Sequence, residues 1–337
     1  MIAPARPAND LSEDPADLLS ELLQSVRMTG AAFFHAALEG SPVAAQCPRE
    51  EVAPAISGQT QHVITYHAVT EGRCYVEVSG GEVFELTAGQ VAVFPRRDPR
   101  IALRGTRPRL SMERPKPAHF APAELRYALQ LVGDPSPAKL VCGYLACEAG
   151  SFNPLIAHLP EILVGDCNQG AGLPALRALT SLAVSGVSGA PGTIQAILGR
   201  LAELMFIEVV RQHVDGLPDE STTWLSGLRD QSIGRALALM HGHPSRAWSL
   251  NGLAREVGLS RSEFAERFAA FVGVPPMQYL ARWRMQTAAS LLKTSVNIAS
   301  VANEVGYSSE ASFSRAFKKI VGLSPSHWRG GELARVA

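Results

Sequence analysis

The stretch LNGLAREVGLSRSEFAERFAAFVGVPPMQY, residues 250–279, recurs as IASVANEVGYSSEASFSRAFKKIVGLSPSHW, residues 298–328. Ala254 aligns with Ala302, Gly258 with Gly306, Phe264 with Phe313, Phe268 with Phe317, Gly273 with Gly322, Pro276 with Pro325 and Tyr279 with Trp328. The offset is 48 residues before the turn and 49 after it. A solenoid needs three or more stacked repeats to bury its faces, so two copies point to a tandem module.

Each copy has the same grammar. An apolar stripe (Leu253, Ala254, Val257; then Val301, Ala302, Val305) ends at Gly258 or Gly306, a residue able to take positive φ at a helix end. A serine then starts a second helix, Ser260 in the first copy and Ser308 in the second, and Ser260 with Glu263 has the spacing of a capping box. The second helix buries Phe264 and Phe268, or Phe313 and Phe317, four residues apart. Helix, short glycine turn, helix is the pattern of a helix-turn-helix. Between the copies, PPMQYLARWRMQTAASLLK (275–293) predicts a joining helix. At 1.5 Å per residue it spans about 28 Å, close to the ~34 Å step between successive major grooves on one face of DNA.

The whole of residues 230–330 resembles the AraC/XylS-type DNA-binding domain, most specifically in the run 302–329. The helix 232–241, with Ile233, Leu237 and Met240 inward, would be its first helix. The resemblance implies base reading by exposed residues early in each second helix: Arg261, Ser262, Ala265 and Glu266, then Ser309, Glu310, Ser314 and Arg315. Arg315 and Arg261 are the best placed donors, whereas Ala265 and Glu266 offer little where related domains often carry a long donor. Phosphates would be held by some of Arg255, Arg267, Arg282, Arg284, Lys318, Lys319 and Arg329. Phe264, Phe268, Phe313, Phe317, Trp283 and Trp328 are read as core.

Composition agrees with a basic end that meets a polyanion. The 337 residues carry no formal net charge, but from Arg229 onward there are 14 Lys and Arg against 7 Asp and Glu, leaving 17 against 24 before it. Hydrophobic content of 46% with 18% charged residues is globular, and the length predicts two or three domains. The five cysteines (47, 74, 142, 147, 167) form no C-x-x-C pair, which points to reduced thiols in a cytoplasmic protein. No secretory signal or membrane-spanning run is read.

The chain before the repeat begins with a loose tail and a short amphipathic helix over 17–26. From 31 to 110, short alternating runs are separated by Gly and Pro at intervals of about ten residues, the spacing of a β sandwich or barrel. Ser79–Glu82 is a hairpin signal and Ala88–Gly89–Gln90 another turn. HAVTEGRCYVEV (67–78), LTAGQVAVFPRRDPRIAL (86–103) and VCGYLACE (141–148) resemble the cupin-type barrel of AraC-type regulators. That resemblance implies an effector pocket, for which His35, Tyr66, His67, Tyr75 and Arg100 are the candidates. Helices are expected over 174–184 and from Pro191, with Ile194, Ile197, Leu198, Leu201, Leu204, Met205 and Val209 at helical spacing. In the resembled family such helices form the dimer contact, so Ile194, Ile197, Leu198, Leu201 and Met205 are the expected dimer residues.

The expected fold class is α+β and multidomain: a cupin-like β-barrel with flanking helices, then an all-α double helix-turn-helix. The boundaries are 1–150 barrel, 151–216 helical dimerisation segment, 217–228 polar linker, 229–330 DNA-binding domain and 331–337 tail. No nucleophile elbow, phosphate loop, dinucleotide fingerprint or H-E-x-x-H occurs, and Arg100 stands where a cupin metal site would carry His. The chain is therefore read as a non-enzymatic regulator without cofactor or metal. Its expected partners are double-stranded promoter DNA, a small-molecule effector and a second copy, with RNA polymerase a further candidate and no membrane. Competing readings are a metal or redox sensor built from His62, His67, Cys142 and Cys147, and a cupin enzyme with a fused DNA-binding tail.

Overall fold

The computed structural model describes residues 28–38, 43–44, 62–78, 82–96, 102–104, 116–117, 138–147, 154–168, 191–294 and 297–336, with Leu19, Pro174 and Ala178. The expected helices 17–26 and 174–184 and the candidate Arg100 lie outside these residues, apart from the single positions named. The chain divides into two compact units, one centred on the β-strands with the segment up to Gly216, the other containing Leu217–Ala337.

The strands are β1 (Met28–Leu38), β2 (Val43–Ala44), β3 (His62–Glu77), β4 (Val83–Thr87), β5 (Gln90–Phe94), β6 (Ala102–Arg104), β7 (Lys116–Pro117), β8 (Ala138–Cys147) and β9 (Leu163–Asp166). The long strand β3 belongs to two sheets at once. Its first half lies between β8 and β5, giving the order β1-β8-β3-β5-β9; its second half lies between β4 and β6, which leads on to β2 and β7. This curled double sheet agrees with the β sandwich or barrel expected from the strand spacing and with the cupin-like form that the resemblance implied. Residues 79–81 of the expected hairpin lie outside the described residues; on either side of them Glu77 pairs with Val83, and Val78 N–H donates to Glu82 O at 3.0 Å.

Ala88–Gly89 is a turn, as the sequence suggested, but one that does not reverse the chain. β4 and β5 both run antiparallel to β3, one after the other, so these residues mark the point where one strand steps from one sheet to the other. Gly89 takes φ +89°, and its N–H still reaches Val69 O at 2.8 Å. A glycine with positive φ at a barrel corner has the same sequence signature as a turn.

Helix α1 (Pro154–His158) precedes β9, and α2 (Pro191–Asp215) packs on β1 and β9. Ala202, Met205, Phe206, Val209, Val210 and Val214 form its buried stripe. A Cβ on Gly165 would stand 2.6 Å from Val209 Cγ2, so glycine there lets the helix lie close to the sheet. Gln212 closes the edge of β9 like a strand: its Oε1 accepts from Asp166 N–H at 2.9 Å and its Nε2 donates to Asp166 O at 2.8 Å.

The second unit is helical: α3 (Trp224–Gly227), α4 (Gln231–Gly242), α5 (Leu250–Glu256), α6 (Arg261–Val272), α7 (Pro276–Thr294), α8 (Ile298–Glu304), α9 (Glu310–Val321) and α10 (Pro325–Val336). The segment 217–228 is not a plain linker. Thr223 caps α3 through a reciprocal bond with Ser226, and Trp224, Leu225 and Leu228 are buried. Residues 331–336 of the expected tail continue α10, which runs through Gly330-Gly331 to Val336; Glu332, Leu333, Ala334 and Arg335 are strong helix formers.

The two copies fold alike, each with a glycine turn, Gly258 at φ +72° and Gly306 at φ +83°. Ser260 Oγ accepts from Glu263 N–H at 3.3 Å. In the second copy the cap is Ser309, accepting from Ser312 N–H, and not Ser308 as the alignment suggested. The extra residue behind the 48-to-49 change of offset lies in this turn, between Gly306 and the cap. Phe264 and Phe268 meet at 5.6 Å between ring centroids, Phe313 and Phe317 at 5.5 Å, and each second Phe meets the aromatic of the following helix, Tyr279 or Trp328. Helix α7 serves both cores: Tyr279 and Leu280 are buried with the first copy's residues, while Met285, Ala288, Ala289 and Leu292 join Val301, Ala302, Val305, Phe313 and Phe317. Helix α4 docks on α7 through His241, stacked 3.8 Å from Trp283 and bonded at 2.8 Å to Tyr279 OH.

Candidate nucleic-acid interface

A recognition helix must offer unpaired donors on the face opposite its core. In α9 the core residues Phe313 and Phe317 leave Glu310, Arg315, Lys318 and Lys319 exposed and Ser314 half-buried. Among the described residues no ion pair engages Arg315, Lys318 or Lys319, so all three cations are available to an anionic partner. Ser309 is committed: its Oγ accepts from Ser312 N–H and donates to Ser312 Oγ at 3.0 Å. In α6, Arg261, Ser262, Glu263, Glu266 and Arg267 are exposed, with Ala265 half-buried.

Of the seven expected phosphate contacts, Arg267 and Arg284 are bonded within the protein. Arg267 Nη2 donates to Asp230 Oδ2 at 2.6 Å, while Asp230 Oδ1 accepts from Ser232 N–H at 3.1 Å and Ile233 N–H at 2.9 Å. One carboxylate thus caps α4 and holds α6. Burial pushes the Asp230 carboxyl up, but the bonds from Arg267, Ile233 and Ser232 outweigh it and hold it below its usual range. Arg284 donates from Nε to Pro244 O and from Nη2 to Arg246 O, both at 2.8 Å. Arg255 is exposed, and Arg282 stands half-buried with Lys319 in a cleft of about 650 Å³ between α7 and α9, lined also by Gln278, Gln286 and Ile320. A basic cleft between the joining helix and a recognition helix can seat a backbone phosphate.

Sequence reading missed three features. Asp230 stands two residues before Ser232, where an N-cap carboxylate is legible. Arg246, lying 4.0 Å from the Trp248 ring and paired with Glu256 at 2.8 Å, and the carbonyl contacts of Arg284 depend on long-range approach and have no local signal.

The effector candidates divide. Tyr66 and His67 are both fully buried, but consecutive strand residues project to opposite faces. Tyr66 shares a face with Ala68 and Val91, whose partner Gly165 abuts Val209 of α2; His67 lies on the other face, its ring 5.9 Å from Phe94. Tyr66 and His67 therefore do not face one pocket. His35 pairs in register with Val141, and Tyr75 is buried beyond the β3 bulge. Neither His67 ring nitrogen has a hydrogen-bond partner, and burial lowers its pKa to about 3, so the ring is neutral. Burial also raises the thiols of Cys74 and Cys167 to about 12 and that of Cys142 upward, which disfavours thiolate chemistry. Among the described residues no group of three His, Cys, Asp or Glu gathers in metal-binding geometry.

The dimer residues also divide. Met205 is fully buried inside its own unit, against the expectation, because it faces the sheet. Ile197 and Leu204 are 46% and 54% exposed, with Leu201 half-buried between them; the side chains of Ile194 and Leu198 lie outside the described set.

Residues 17–215 match the family model described as Cupin, and residues 253–331 that of a Helix-turn-helix domain. A Streptomyces lividans protein named as an AraC-like transcription regulator is 31% identical over 285 residues, 82% of this chain and 89% of that one. A second so named, from Streptomyces antibioticus, is 32% identical over 281 residues, 79% and 87% of the two chains. Among solved structures, the DNA-binding domain of AdpA in complex with a target DNA is 28% identical over 30% of this chain and 93% of that one, with a TM-score of 0.30. With a cupin match over more than half its length and relatives of this kind along most of it, the chain belongs to the AraC family of transcription regulators.

Proposed function

We propose that this regulator binds promoter DNA through α6 and α9 together, each in one of two successive major grooves, and that the barrel adjusts that binding in response to a small effector. The observation that carries the reading is the pair of matched helices, each held by a buried Phe pair and presenting its exposed residues outward from the same compact unit. In α9, Arg315 reads a base edge while Lys318 and Lys319, with Arg282 on α7, hold phosphates. In α6, Arg261 and Ser262 make the contacts, and Ala265 and Glu266 leave that half-site more dependent on DNA shape.

The effector site is placed on the His67 face of the barrel, supported by a buried ring whose two nitrogens lack protein partners. The homodimer seam is placed along Ile197, Leu201 and Leu204, which follow i, i+4, i+7 on the outer face of α2. The protein acts in the cytoplasm, with RNA polymerase as its downstream partner and without enzymatic turnover. Among the described residues no helix is long and apolar enough to cross a membrane.

The test is selection of duplexes from a random pool by the full chain at physiological salt, followed by footprinting. The expected result is an enriched site with two protected major-groove patches about one helical turn apart per subunit. Equal affinity for selected and random duplexes would defeat the sequence-specific reading.

A further inference from the structure

We infer that Arg284 and Gly306 form a clamp that fixes the two helix-turn-helix units in one mutual orientation, making Arg284 a positioning residue for the spacing of the two DNA half-sites. The inference rests on the reading that both recognition helices engage one duplex.

Arg284 projects from the middle of α7, the helix between the two copies. Its guanidinium donates to Pro244 O and Arg246 O, two carbonyls of the loop that joins α4 to α5 in the first copy. The same guanidinium carbon lies 5.8 Å from the ring centroid of Tyr307, in the turn of the second copy. One half-buried side chain therefore touches both units.

The loop it holds is itself firmly tied to the first copy. Trp248 Nε1 donates to His243 O at 3.0 Å, and Arg246 stacks on Trp248 and pairs with Glu256 of α5. Any shift of the loop would carry α5 with it, and α5 packs directly on recognition helix α6.

The repeat supplies an internal control. Gly258 and Gly306 are equivalent and both take positive φ, so the turn alone explains glycine at each. A Cβ on Gly258 would meet nothing within 4 Å. A Cβ on Gly306 would lie 2.6 Å from Ser245 O, 2.9 Å from Ser245 Cα and 3.0 Å from Arg284 Nη2. The second turn is thus pressed against the first copy's loop, at the place where Arg284 bridges them.

The experiment uses the full chain and three duplexes: one selected by the wild type from a random pool, one with a half-site scrambled, and one with five base pairs, about half a turn, inserted between the half-sites. Arg284→Ala is expected to weaken binding to the intact duplex about tenfold, the scale of one lost charge-assisted bond. Binding to the single half-site should stay within about twofold, the insertion penalty should shrink, and the salt slope should not change. Equal weakening on intact and single-site duplexes with a salt slope lower by about one would mean a phosphate contact and overturn the clamp. No loss on either duplex would overturn it as well.

Should Arg284→Ala fail to fold, Gly306→Ala read beside Gly258→Ala decides. Both carry the strain of positive φ, but only Gly306→Ala should relax spacing preference; the same relaxation in Gly258→Ala would overturn the clamp. A wild type that gains nothing from the second half-site would remove the two-helix reading and this inference with it.

Discussion

Removing the Asp230 carboxylate tests whether one side chain both starts α4 and restrains α6. Its Oδ1 caps α4 through the Ser232 and Ile233 amides, a service generally worth about 1 kcal/mol. Its Oδ2 takes Arg267, but the Arg267 side chain is 46% exposed, so solvent screening leaves that pair about 0.5 kcal/mol. Asp230→Ala should therefore cost about 1.5 kcal/mol and Asp230→Asn, whose amide oxygen still caps, about 0.5 kcal/mol. Arg267→Ala should match the Asn variant and add nothing to it. All four tryptophans, Trp224, Trp248, Trp283 and Trp328, fall in the helical unit, so urea unfolding of the full chain followed by tryptophan emission isolates the relevant transition. The depressed Asp230 pKa gives stability that is present above the unfolded value near 4 and lost as pH falls through the folded value; Asp230→Asn should flatten that acid limb. Equal costs for the Asn and Ala variants would refute the capping half of the argument. A fall of about one in the salt slope of DNA binding for Arg267→Ala would refute the other half, by showing a phosphate contact.

Arg315→Ala should cost about 1–3 kcal/mol of DNA binding and relax discrimination at a single base position, whereas Lys318→Ala should weaken all sequences alike and lower the salt slope by about one; competition against single-base variants of the selected duplex separates the two. Gly165→Ala puts a Cβ 2.6 Å from Val209 Cγ2 and should cost about 1–3 kcal/mol, partly recovered by Val209→Ala, as read by thermal unfolding followed by circular dichroism. His67 stays neutral in the fold down to about pH 3, so the unfolded chain alone takes up the proton below about 6.5. Its contribution is intact at neutral pH and lost on acidification, about 1.4 kcal/mol by pH 5.5; His67→Leu should abolish that part of the pH dependence of barrel unfolding.

The helical unit was legible in the sequence because its information is local. Periodicity, caps and glycine turns each lie within a few residues, and the repeat supplied the register. The alignment slipped at Ser308 because a one-residue insertion in a turn leaves the hydrophobic pattern on both sides intact; only the amide that seeks an oxygen, Ser312 N–H, selects Ser309. Features made by distant approach were not legible. Gly89 reads as a turn, and is one, but that it carries the chain from one sheet to the other shows only when both β4 and β5 are seen on β3. Met205 reads as dimer surface until α2 is laid on the sheet. Arg267 and Arg284 read as phosphate ligands until Asp230 and the 244–246 carbonyls are found beside them. The polar composition of 217–228 conceals α3, since one buried turn needs only Trp224, Leu225 and Leu228.

The inequality of the two copies gives these contacts their meaning. Helix α9 exposes Arg315, Lys318 and Lys319 against Glu310 alone, which on the proposed reading makes it the stronger of the two for a phosphate backbone. Helix α6 exposes Arg261 against Glu263 and Glu266, with Arg267 tied to Asp230, so its own attraction is weak. A weak reader contributes when a strong one delivers it at high effective concentration, and the gain is lost if the geometry between them cannot span both sites. Rigid joining also spares the second contact the orientational entropy of a free domain. That rigidity lies between the two copies, in an α7 shared by both cores and in an arginine bonded to one copy and stacked near the other. On the proposed two-helix reading, spacing, more than the few base contacts open to α6, is what the first copy contributes to specificity.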